Sequence, residues 1–430
     1  MSLYSRFRLF TLSILQLSLF FGLHKEASAQ GLGNSPYSSL GMGEFYGEGF
    51  SDNTGMGQSG VSTASGFQIN NLNPALWVRN RFTTLDIGLI GQYKDITSGS
   101  RNQRNAGGNL GYVSLAFPVH PRWVIGVSIK PYSFVDYGDS TSRQVQGTGA
   151  IANYFTTGKG GLNKASITNS VQINRYLSLG LETSYFFGNV RKATEVSLPV
   201  SGSGDYLVSL NERTTYSDIA FRAGAAVRVP LKKNKVNLNL GGAYSFGANI
   251  NSNQTTSFEV TQNSFPVLQP DTLSNNLGGI LKTPNQFQAG ASLEWPLKFV
   301  ISADYNRQYW SQYRGFAGAD DNLRDVGRIN VGAEWLPKFT SLKYLDIVRY
   351  RIGFSYGSTP YMINNRDIKD ASVSLGITFP MGRGYQNLIS FAFVGGQRGG
   401  TGSGLIRERY GRVVLGITLL ERWFQKQKID

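Results

Sequence analysis

Apolar and polar residues alternate along many short segments of the chain. Between Gln286 and Trp295 every second residue is apolar, and the residues between them are polar or small. Residues 236–246 repeat this pattern. A period of two gives a β-strand one apolar face and one polar face. In a soluble sandwich the apolar faces meet in a core, whereas in a transmembrane barrel they face lipid and the polar faces line the lumen.

The connections between these segments decide between the two architectures. About fourteen strands are predicted, over residues 83–97, 107–117, 122–136, 164–174, 176–192, 207–229, 235–255, 285–295, 298–312, 324–336, 345–357, 369–379, 385–397 and 408–421. Short turns alternate with long connections, which are expected around residues 98–106, 137–163, 193–206, 256–284, 313–323, 358–368 and 398–407. This sorting is typical of an outer-membrane barrel and is not expected of a sandwich. The sequence therefore predicts an all-β, transmembrane antiparallel β-barrel of about fourteen strands, and a finer split of residues 176–200 and 235–262 would give sixteen.

The N-terminal part of the chain predicts two further regions. Residues 1–29 have the basic start, apolar stretch and Ala-Ser-Ala ending of a secretory signal peptide. A secreted chain without spanning helices can cross a membrane only as a closed barrel, because backbone amides in lipid must all be paired. Residues 30–80 are rich in Gly, Ser and Asn but hold too many apolar residues for a solvated linker. We expect them to form a plug inside a barrel of residues 81–430, in the outer membrane of a Gram-negative cell.

Composition and charge narrow the list of partners. The chain has 42 Lys and Arg against 27 Asp and Glu, a formal net charge of +15, and no cysteine. The basic residues are interpreted as scattered through turns and strands without a basic stripe, so we expect no nucleic-acid partner. Membrane lipid and anionic lipopolysaccharide are the partners expected for a chain with this positive charge. Without cysteine the chain holds no disulfide and no thiolate metal site.

Charged residues on the predicted polar faces are candidates for a network in the lumen. They are Arg222, Glu294, Asp304, Arg328 and Glu334. Such a network would brace the wall or hold the plug, and the alternative is a role in transport.

Little in the sequence indicates an enzyme. His120 is the sole histidine of the expected mature chain and lies in a predicted turn, so no Ser-His-Asp triad can be placed at the outer face. Residues 158–161 lack the spacing of a phosphate loop, and residues 320–322 lack the ligand spacing of a calcium loop. We expect no catalytic residue, no metal and no cofactor.

The signal peptide, the predicted plug and the fourteen strands resemble the FadL family. The plug carries Asn73-Pro74-Ala75, a tripeptide characteristic of the N-terminal hatch of that family. A Bacteroidetes branch of these barrels is similar to the chain in residues 34–38, 350–354 and 421–424, and in Lys426 and Lys428. The resemblance implies an outer-membrane transporter of long-chain fatty acids or hydrocarbons, whose ligand leaves sideways through a kinked wall. It also implies that Asn73, Pro74 and Ala75 belong to the plug.

A lateral exit needs a break in strand pairing, such as a bulge or a proline. Pro131 interrupts the third predicted strand and is the candidate lateral gate, although it would also fit the upper edge of that strand. Three functions stay open: uptake of a hydrophobic small-molecule ligand, a barrel subunit of an outer-membrane secretion or assembly complex of the type nine kind with a protein partner, and a general porin.

Overall fold

A computed structural model describes residues 31–145, 147, 150–200, 204–231, 235–262, 265–382, 387–402 and 405–421. The predicted signal peptide, residues 1–29, lies outside these ranges, as do Lys426 and Lys428. None of the described helices is long and apolar enough to cross a membrane.

Almost all of the described secondary structure is β-strand. The strands are β1 (Glu44–Phe45), β2 (Thr83–Ser98), β3 (Arg101–His120), β4 (Trp123–Gln144), β5 (Ile151–Gln172), β6 (Leu177–Val200), β7 (Gly204–Leu231), β8 (Val236–Ser245), β9 (Asn249–Gln262), β10 (Phe265–Lys282), β11 (Gln286–Trp295), β12 (Phe299–Gln308), β13 (Val326–Trp335), β14 (Arg349–Ile363), β15 (Arg366–Met381), β16 (Asn387–Arg398) and β17 (Arg407–Glu421). The helices are α1 (Ser51–Gly55) and the 3-10 turns Pro36–Ser39, Pro74–Arg79, Trp310–Gln312, Phe316–Gly318 and Tyr344–Asp346.

The wall is a closed antiparallel barrel of fourteen strands, which confirms the predicted fold. From β2 onwards each strand pairs with the next along the chain, except at β8–β9 and β10–β11, and β17 pairs with β2 to close the sheet. β8 and β9 together count as one strand of the wall. β8 pairs with residues 222–231 of β7 and with β11, and β9 continues along residues 206–217 of the same β7. β10 and β11 are related in the same way. The split that would give sixteen wall strands is therefore not seen.

The two faces of the wall differ as the alternation predicts. Ile329, Val331 and Trp335 of β13 are exposed on the outer face, whereas Asn330, between the first two, is buried. The inner positions are polar or charged, and many of them are buried under the N-terminal residues described below. Outward apolar and inward polar positions are the pattern of a barrel that faces lipid.

Most of the long connections are themselves strand and extend the neighbouring strands beyond the predicted bounds. Residues 137–163, 193–206 and 256–284 mainly continue the neighbouring strands as the hairpins β4–β5, β6–β7 and β9–β10. Residues 98–106 are likewise almost entirely strand, and the chain reverses at Gly99 and Ser100. The physical reason is that both faces of these extensions meet water, so the apolar/polar contrast used to find strands disappears while β-forming Thr, Tyr and Val remain.

Candidate functional site

Residues 31–82, here called the N-terminal segment, pack against the inner face of the barrel. Ser59 Oγ lies 2.8 Å from Ser302 Oγ of β12, and Val78 N donates to Ser170 Oγ of β5 at 3.1 Å. α1 lies against β14, β15, β16 and β17. The segment therefore touches strands on several sides of the wall, an arrangement compatible with the predicted plug.

Glu48 of the N-terminal segment faces three basic side chains of the wall. Its Oε2 atom lies 3.0 Å from Lys164 Nζ, 3.4 Å from Lys130 Nζ and 3.9 Å from Arg222 Nη1. Lys164 is also 2.9 Å from Glu182, so charge of both signs is buried in one group. Burial would raise the pKa of Glu48, but Lys130 and Lys164 lower that pKa well below its ordinary value.

Glu44 forms a second contact of this kind. It lies 2.5 Å from Lys94 Nζ of β2 and 3.1 Å from Arg398 of β16. Burial alone would raise the pKa of Glu44, but Lys94 and Arg398 lower it to about 2. Arg398 also reaches Glu408 of β17 at 3.4 Å. Because Glu44 belongs to the segment and its partners to the wall, these ion pairs tie one to the other.

Asp52 in α1 forms the third contact. Its Oδ1 atom lies 2.8 Å from Arg351 Nη1 of β14. Arg351 Nη2 in turn lies 2.7 Å from Glu334 Oε2 of β13, and Arg349 lies 3.2 Å from the other oxygen of Glu334. The acids Glu44, Glu48 and Asp52 therefore each meet a different basic group of the wall.

The five residues predicted for a lumen network take separate positions. None of them forms an ion pair with another of the five within the described residues. Their partners are Glu48 and Glu182 for Arg222, Arg228 for Glu294, the backbone N–H groups of Gly60 and Val61 for Asp304, Asp370 for Arg328, and Arg349 with Arg351 for Glu334. Arg222 and Asp304 thus contact the N-terminal segment directly, and the role of the set stays a prediction.

Sequence reasoning missed the three acids of the segment. A signal was available, because residues 31–78 contain these acids and no lysine or arginine. An acidic, partly apolar segment beside a basic wall predicts ion pairs between the two.

Asn73 explains what the Asn73-Pro74-Ala75 tripeptide does physically. Its side-chain oxygen accepts a hydrogen bond from Ala75 N at 3.0 Å and so caps the 3-10 turn Pro74–Arg79, in which Pro74 takes the first position. Its amide nitrogen donates to Val61 O within the segment and to Ala225 O of β7, both at 3.0 Å. One side chain therefore shapes the segment and fastens it to the wall.

Inward-facing glycines let the backbone of the segment approach the wall. A Cβ atom added to Gly353 of β14 would lie 2.0 Å from Gly57 N, and one added to Gly224 of β7 would lie 2.1 Å from Asn73 Oδ1. Other wall glycines approach the segment in the same way, namely Gly126, Gly180, Gly241, Gly332, Gly376 and Gly416. No side chain fits between the wall and the segment at these points.

The wall is interrupted between β3 and β4. Their ladder begins at His120 and Trp123 and ends at Val113 and Ile129. Beyond that point β3 stays paired with β2, and β4 stays paired with β5, but the described residues form no further β3–β4 pairs. We call this interval, residues 101–112 of β3 and 130–144 of β4, the β3–β4 seam.

The N-terminal segment covers the β3–β4 seam from inside. β1 pairs with Ser133 and Phe134 of β4, and Tyr46 N donates to Tyr132 O at 3.0 Å. On the other side, a Cβ atom added to Gly107 of β3 would lie 2.4 Å from Gly31 O. Residues 31–46 therefore occupy the space where β3 and β4 separate.

Pro131 lies at this interruption. It is two residues beyond Ile129, the last residue of β4 that pairs with β3. On its other side it pairs with Asn163, and the register then shifts before Ser133 meets Leu162 of β5. Such a shift is a β-bulge, which bends a strand. The structure thus places the candidate gate residue at the seam.

Comparison with known proteins identifies the family. The model of the BamG family matches residues 12–430. The chain belongs to the BamG family. None of the curated proteins searched matches it.

Solved structures show that this BamG-family protein has the fold of FadL-type channels. The CymD monoaromatic hydrocarbon channel is 15% identical over 87% of this chain and 98% of its own, with a TM-score of 0.57. The toluene transporter TbuX of Ralstonia pickettii is 15% identical over 87% and 99%, with a TM-score of 0.54. A FadL homologue of Pseudomonas aeruginosa is 13% identical over 87% and 99%, with a TM-score of 0.56.

The BamG-family barrel holds a cavity of about 220 Å³ beside the seam. Its lining includes Glu44 and Glu48 of the segment and Arg328 and Arg398 of the wall. Aromatic side chains also line it, among them Phe45, Tyr132, Trp310 and Tyr361. The cavity is thus lined by both aromatic and charged side chains.

An aromatic cluster joins the cavity to the seam. The ring of Phe45 lies 5.5 Å from that of Tyr132 and 4.7 Å from that of Trp310, measured between centroids. Tyr132 also meets Phe186 of β6 edge to face at 4.7 Å. Aromatic rings in these geometries offer apolar faces and edges that suit a planar hydrophobic molecule. Among the described residues no group of three acidic or histidine side chains is placed to hold a metal ion.

Proposed function

We propose that this BamG-family protein is an integral outer-membrane channel that takes up hydrophobic small molecules and releases them sideways through the β3–β4 seam. The observation that carries the proposal is the end of the β3–β4 ladder at Val113 and Ile129, with the N-terminal segment covering the interval beyond. A wall opening that is closed by a removable segment is suited to a solute that must reach lipid without crossing water. The function involves no reaction, cofactor or nucleic acid.

The aromatic cluster supports a hydrophobic ligand. Phe45 and Tyr132 both line the cavity; Phe45 lies in β1, which covers the seam, and Tyr132 lies in β4, which borders it. A ligand held on these rings lies next to the exit. Three of the solved structures with this fold carry hydrocarbon or toluene in their names, and they support the same class of ligand for this chain.

The proposal gives the N-terminal segment the role of a plug. Ion pairs from Glu44, Glu48 and Asp52 hold it against the wall, and the straight path along the barrel axis stays closed. A ligand leaves when residues 31–46 move away from the seam, while the rest of the segment stays in place. The general porin is disfavoured, since a porin needs a lumen open to water.

A disulfide across the seam tests this function. Phe45 and Ser133 are register partners of β1 and β4, and the chain has no cysteine of its own. In Phe45→Cys/Ser133→Cys, oxidation ties the segment to β4. Because Phe45 also lines the cavity, the reduced double variant is the reference, and we expect its uptake of a fluorescent long-chain fatty acid by cells to fall when the bridge forms and to recover with reductant.

A matched bridge in the continuous wall is the control. Ala291 and Ala303 are register partners of β11 and β12, so Ala291→Cys/Ala303→Cys joins strands that are already paired throughout. It should leave uptake unchanged in both redox states. Full uptake through an oxidised seam bridge would refute lateral release at this place.

A second candidate is a barrel subunit of an outer-membrane secretion or assembly complex. The observation that favours it is a sheet of β6, β7, β9 and β10 that continues beyond the barrel wall. β10 carries large apolar side chains on this extension, among them Phe265, which is 75% exposed, and Leu268, Leu273 and Leu277. Exposed apolar surface of this kind is typical of protein contact sites.

Purification from native membranes tests the second candidate. A complex subunit should co-purify with a protein partner in fixed ratio, and Leu273→Ser/Leu277→Ser should lose that partner while the barrel still inserts. The matched substitution Val373→Ser/Leu375→Ser alters exposed apolar residues of β15 in the wall and should keep the partner. If the barrel purifies without any stoichiometric protein, this candidate fails.

A further inference from the structure

Basic side chains are concentrated in the short turns at one end of the barrel. We call this end the short-turn rim and define it by the turns β3–β4, β5–β6, β7–β8, β11–β12 and β13–β14. Their exposed basic residues are Arg122, Arg175, Lys235, Lys298, Lys338 and Lys343. Among the described residues of these turns, Asp346 is the one acidic residue, and it lies 3.1 Å from Lys338. Basic residues scattered through turns and strands were expected, and at this end the described turns are basic with almost no acid.

Most of these cations have no ionic partner among the residues that the structure describes. Arg122, Arg175, Lys298 and Lys343 form no ion pair within the described residues. Arg175 instead lies over the ring of Tyr176, with 4.5 Å between the guanidinium carbon and the ring centroid. Unpaired cations that all lie at one level of the barrel produce a ring of positive potential.

Each basic turn also exposes a large apolar side chain. Val119 accompanies Arg122, Ile173 accompanies Arg175, and Leu297 accompanies Lys298. The same pairing occurs in the two other turns, with Leu231 beside Lys235 and the fully exposed Leu342 beside Lys343. A cation beside an apolar side chain is suited to a membrane interface, where the apolar group enters the hydrocarbon and the cation stays with the head groups.

The opposite end of the barrel does not share this pattern. Its hairpins carry charges of both signs. Exposed basic residues such as Arg101, Lys192 and Arg213 occur there together with exposed acidic residues such as Asp139 and Asp271. The single-signed ring is therefore a property of the short-turn rim and not of the chain's overall charge.

We propose that the short-turn rim binds the head groups of anionic phospholipids in the membrane leaflet that surrounds it. The cations occur in turns around the barrel rather than on one side, and each of the five turns also exposes an apolar side chain, so the surrounding lipid meets a cation at each of them. A folded acidic protein would need one contiguous patch instead. This inference requires only that the barrel spans a membrane and does not depend on whether it transports a solute.

The test compares two sets of charge removals in the full-length protein. The rim variant is Arg122→Gln/Arg175→Gln/Lys298→Gln/Lys343→Gln. The matched control is Arg101→Gln/Arg104→Gln/Lys192→Gln/Arg213→Gln, which removes the same charge from exposed positions of the hairpin end. Each protein is placed in nanodiscs of equal parts phosphatidylcholine and phosphatidylglycerol, and the fraction of motionally restricted spin-labelled lipid is measured.

We expect the wild type and the control variant to prefer phosphatidylglycerol over phosphatidylcholine by about fivefold, the order expected for a basic residue near an anionic lipid surface. The rim variant should lose most of this preference, and salt should weaken it in the wild type. A faster migration of unboiled protein on a gel shows that each barrel is folded. A charge-preserving variant, Arg122→Lys/Arg175→Lys, should keep the preference.

Equal lipid preference of the rim and control variants overturns the proposal. It is also overturned if the rim variant keeps its lipid preference but loses a co-purifying acidic protein, since the rim would then be a protein contact. Uptake measured on the same rim variant separates this inference from the proposed function, because transport through the seam does not require these turns.

Discussion

Asp52 Oδ1 in the N-terminal segment lies 2.8 Å from Arg351 Nη1 in β14, and the side chain of Arg351 is 1% exposed. A buried charge is tolerated only when it is paired, and removing one partner of such a pair typically costs about 3–5 kcal/mol. Glu334 on the other side of Arg351 is also largely buried, so loss of the guanidinium leaves two carboxylates without their common cation. The contact therefore links the position of the segment to the charge balance of the wall.

The first prediction concerns this contact. Arg351→Met should loosen the N-terminal segment while the barrel still forms, because the outer face of β14 is unchanged. We expect faster cleavage of the segment by an added protease and a higher single-channel conductance in planar bilayers. Arg324→Met is the control, since Arg324 pairs with Asp367 at 3.5 Å where both side chains are about half exposed. Exposed ion pairs contribute about 0–1 kcal/mol to the free energy of unfolding. Equal conductance of the two variants would contradict the prediction.

The second prediction is a dependence on pH. The ordinary pKa of 4.5 falls to about 2 for Glu44 in the packed state, and the pKa of Glu48 is lowered as well. A lowered pKa in the packed state means that the stabilisation is complete above the ordinary value and is lost as the pH falls. The segment should therefore loosen between about pH 4.5 and pH 2 and stay in place at neutral pH.

Conductance recorded while the pH is lowered checks this expectation. Glu44→Gln/Glu48→Gln should conduct at neutral pH already and show no further acid step, because Lys94 and Lys164 lose the carboxylates they face. An acid step of the same size in this double variant would assign the pH dependence to other groups.

The third prediction tests the close approach at Gly353. In Gly353→Ala the new Cβ atom would lie 2.0 Å from Gly57 N, a distance that real Cβ atoms essentially never show, so the segment or the strand must shift. Gly395→Ala in β16 places its Cβ atom in open space and serves as the control. We expect higher conductance and faster proteolysis of the segment for Gly353→Ala alone. If both variants behave as the wild type does, the segment is not packed against β14 as described.

The fold was predictable because a membrane barrel imposes one simple rule on its wall. Phe287, Leu293 and Trp295 of β11 face outwards and Ser292 faces inwards, as their alternation requires. The rule fails where both faces meet water, and residues 256–284, which form the end of β9 and all of β10, were therefore expected to be a connection between strands. Pairing between distant residues there depends on the register of β7 with β9, which no local pattern contains.

The candidate site was only partly predictable for a similar reason. Alternation placed Arg222 and Asp304 on the inner face correctly, since that depends on the strand alone. Their partners lie in the N-terminal segment, whose irregular backbone has no period from which side-chain directions can be read. Asn73 was found through the family tripeptide, but its hydrogen bond to Ala225 O depends on where β7 passes the segment.

The last prediction concerns Pro131. Proline has no N–H to donate to a ladder, and here it accompanies a bulge next to the point where β3 and β4 separate. Pro131→Ala restores the missing donor and allows β4 to straighten, which narrows the seam. One hydrogen bond contributes about 1 kcal/mol to stability, so uptake of a fluorescent fatty acid should slow by about fivefold if opening of the seam limits the rate.

Pro118→Ala is the control, because Pro118 lies in β3 at the short-turn end, where β3 and β4 are paired. Insertion is checked by heat-modifiable migration on a gel. Unchanged uptake by a normally inserted Pro131→Ala barrel would exclude Pro131 from the gate and leave the covering segment, residues 31–46, as the element that controls the seam.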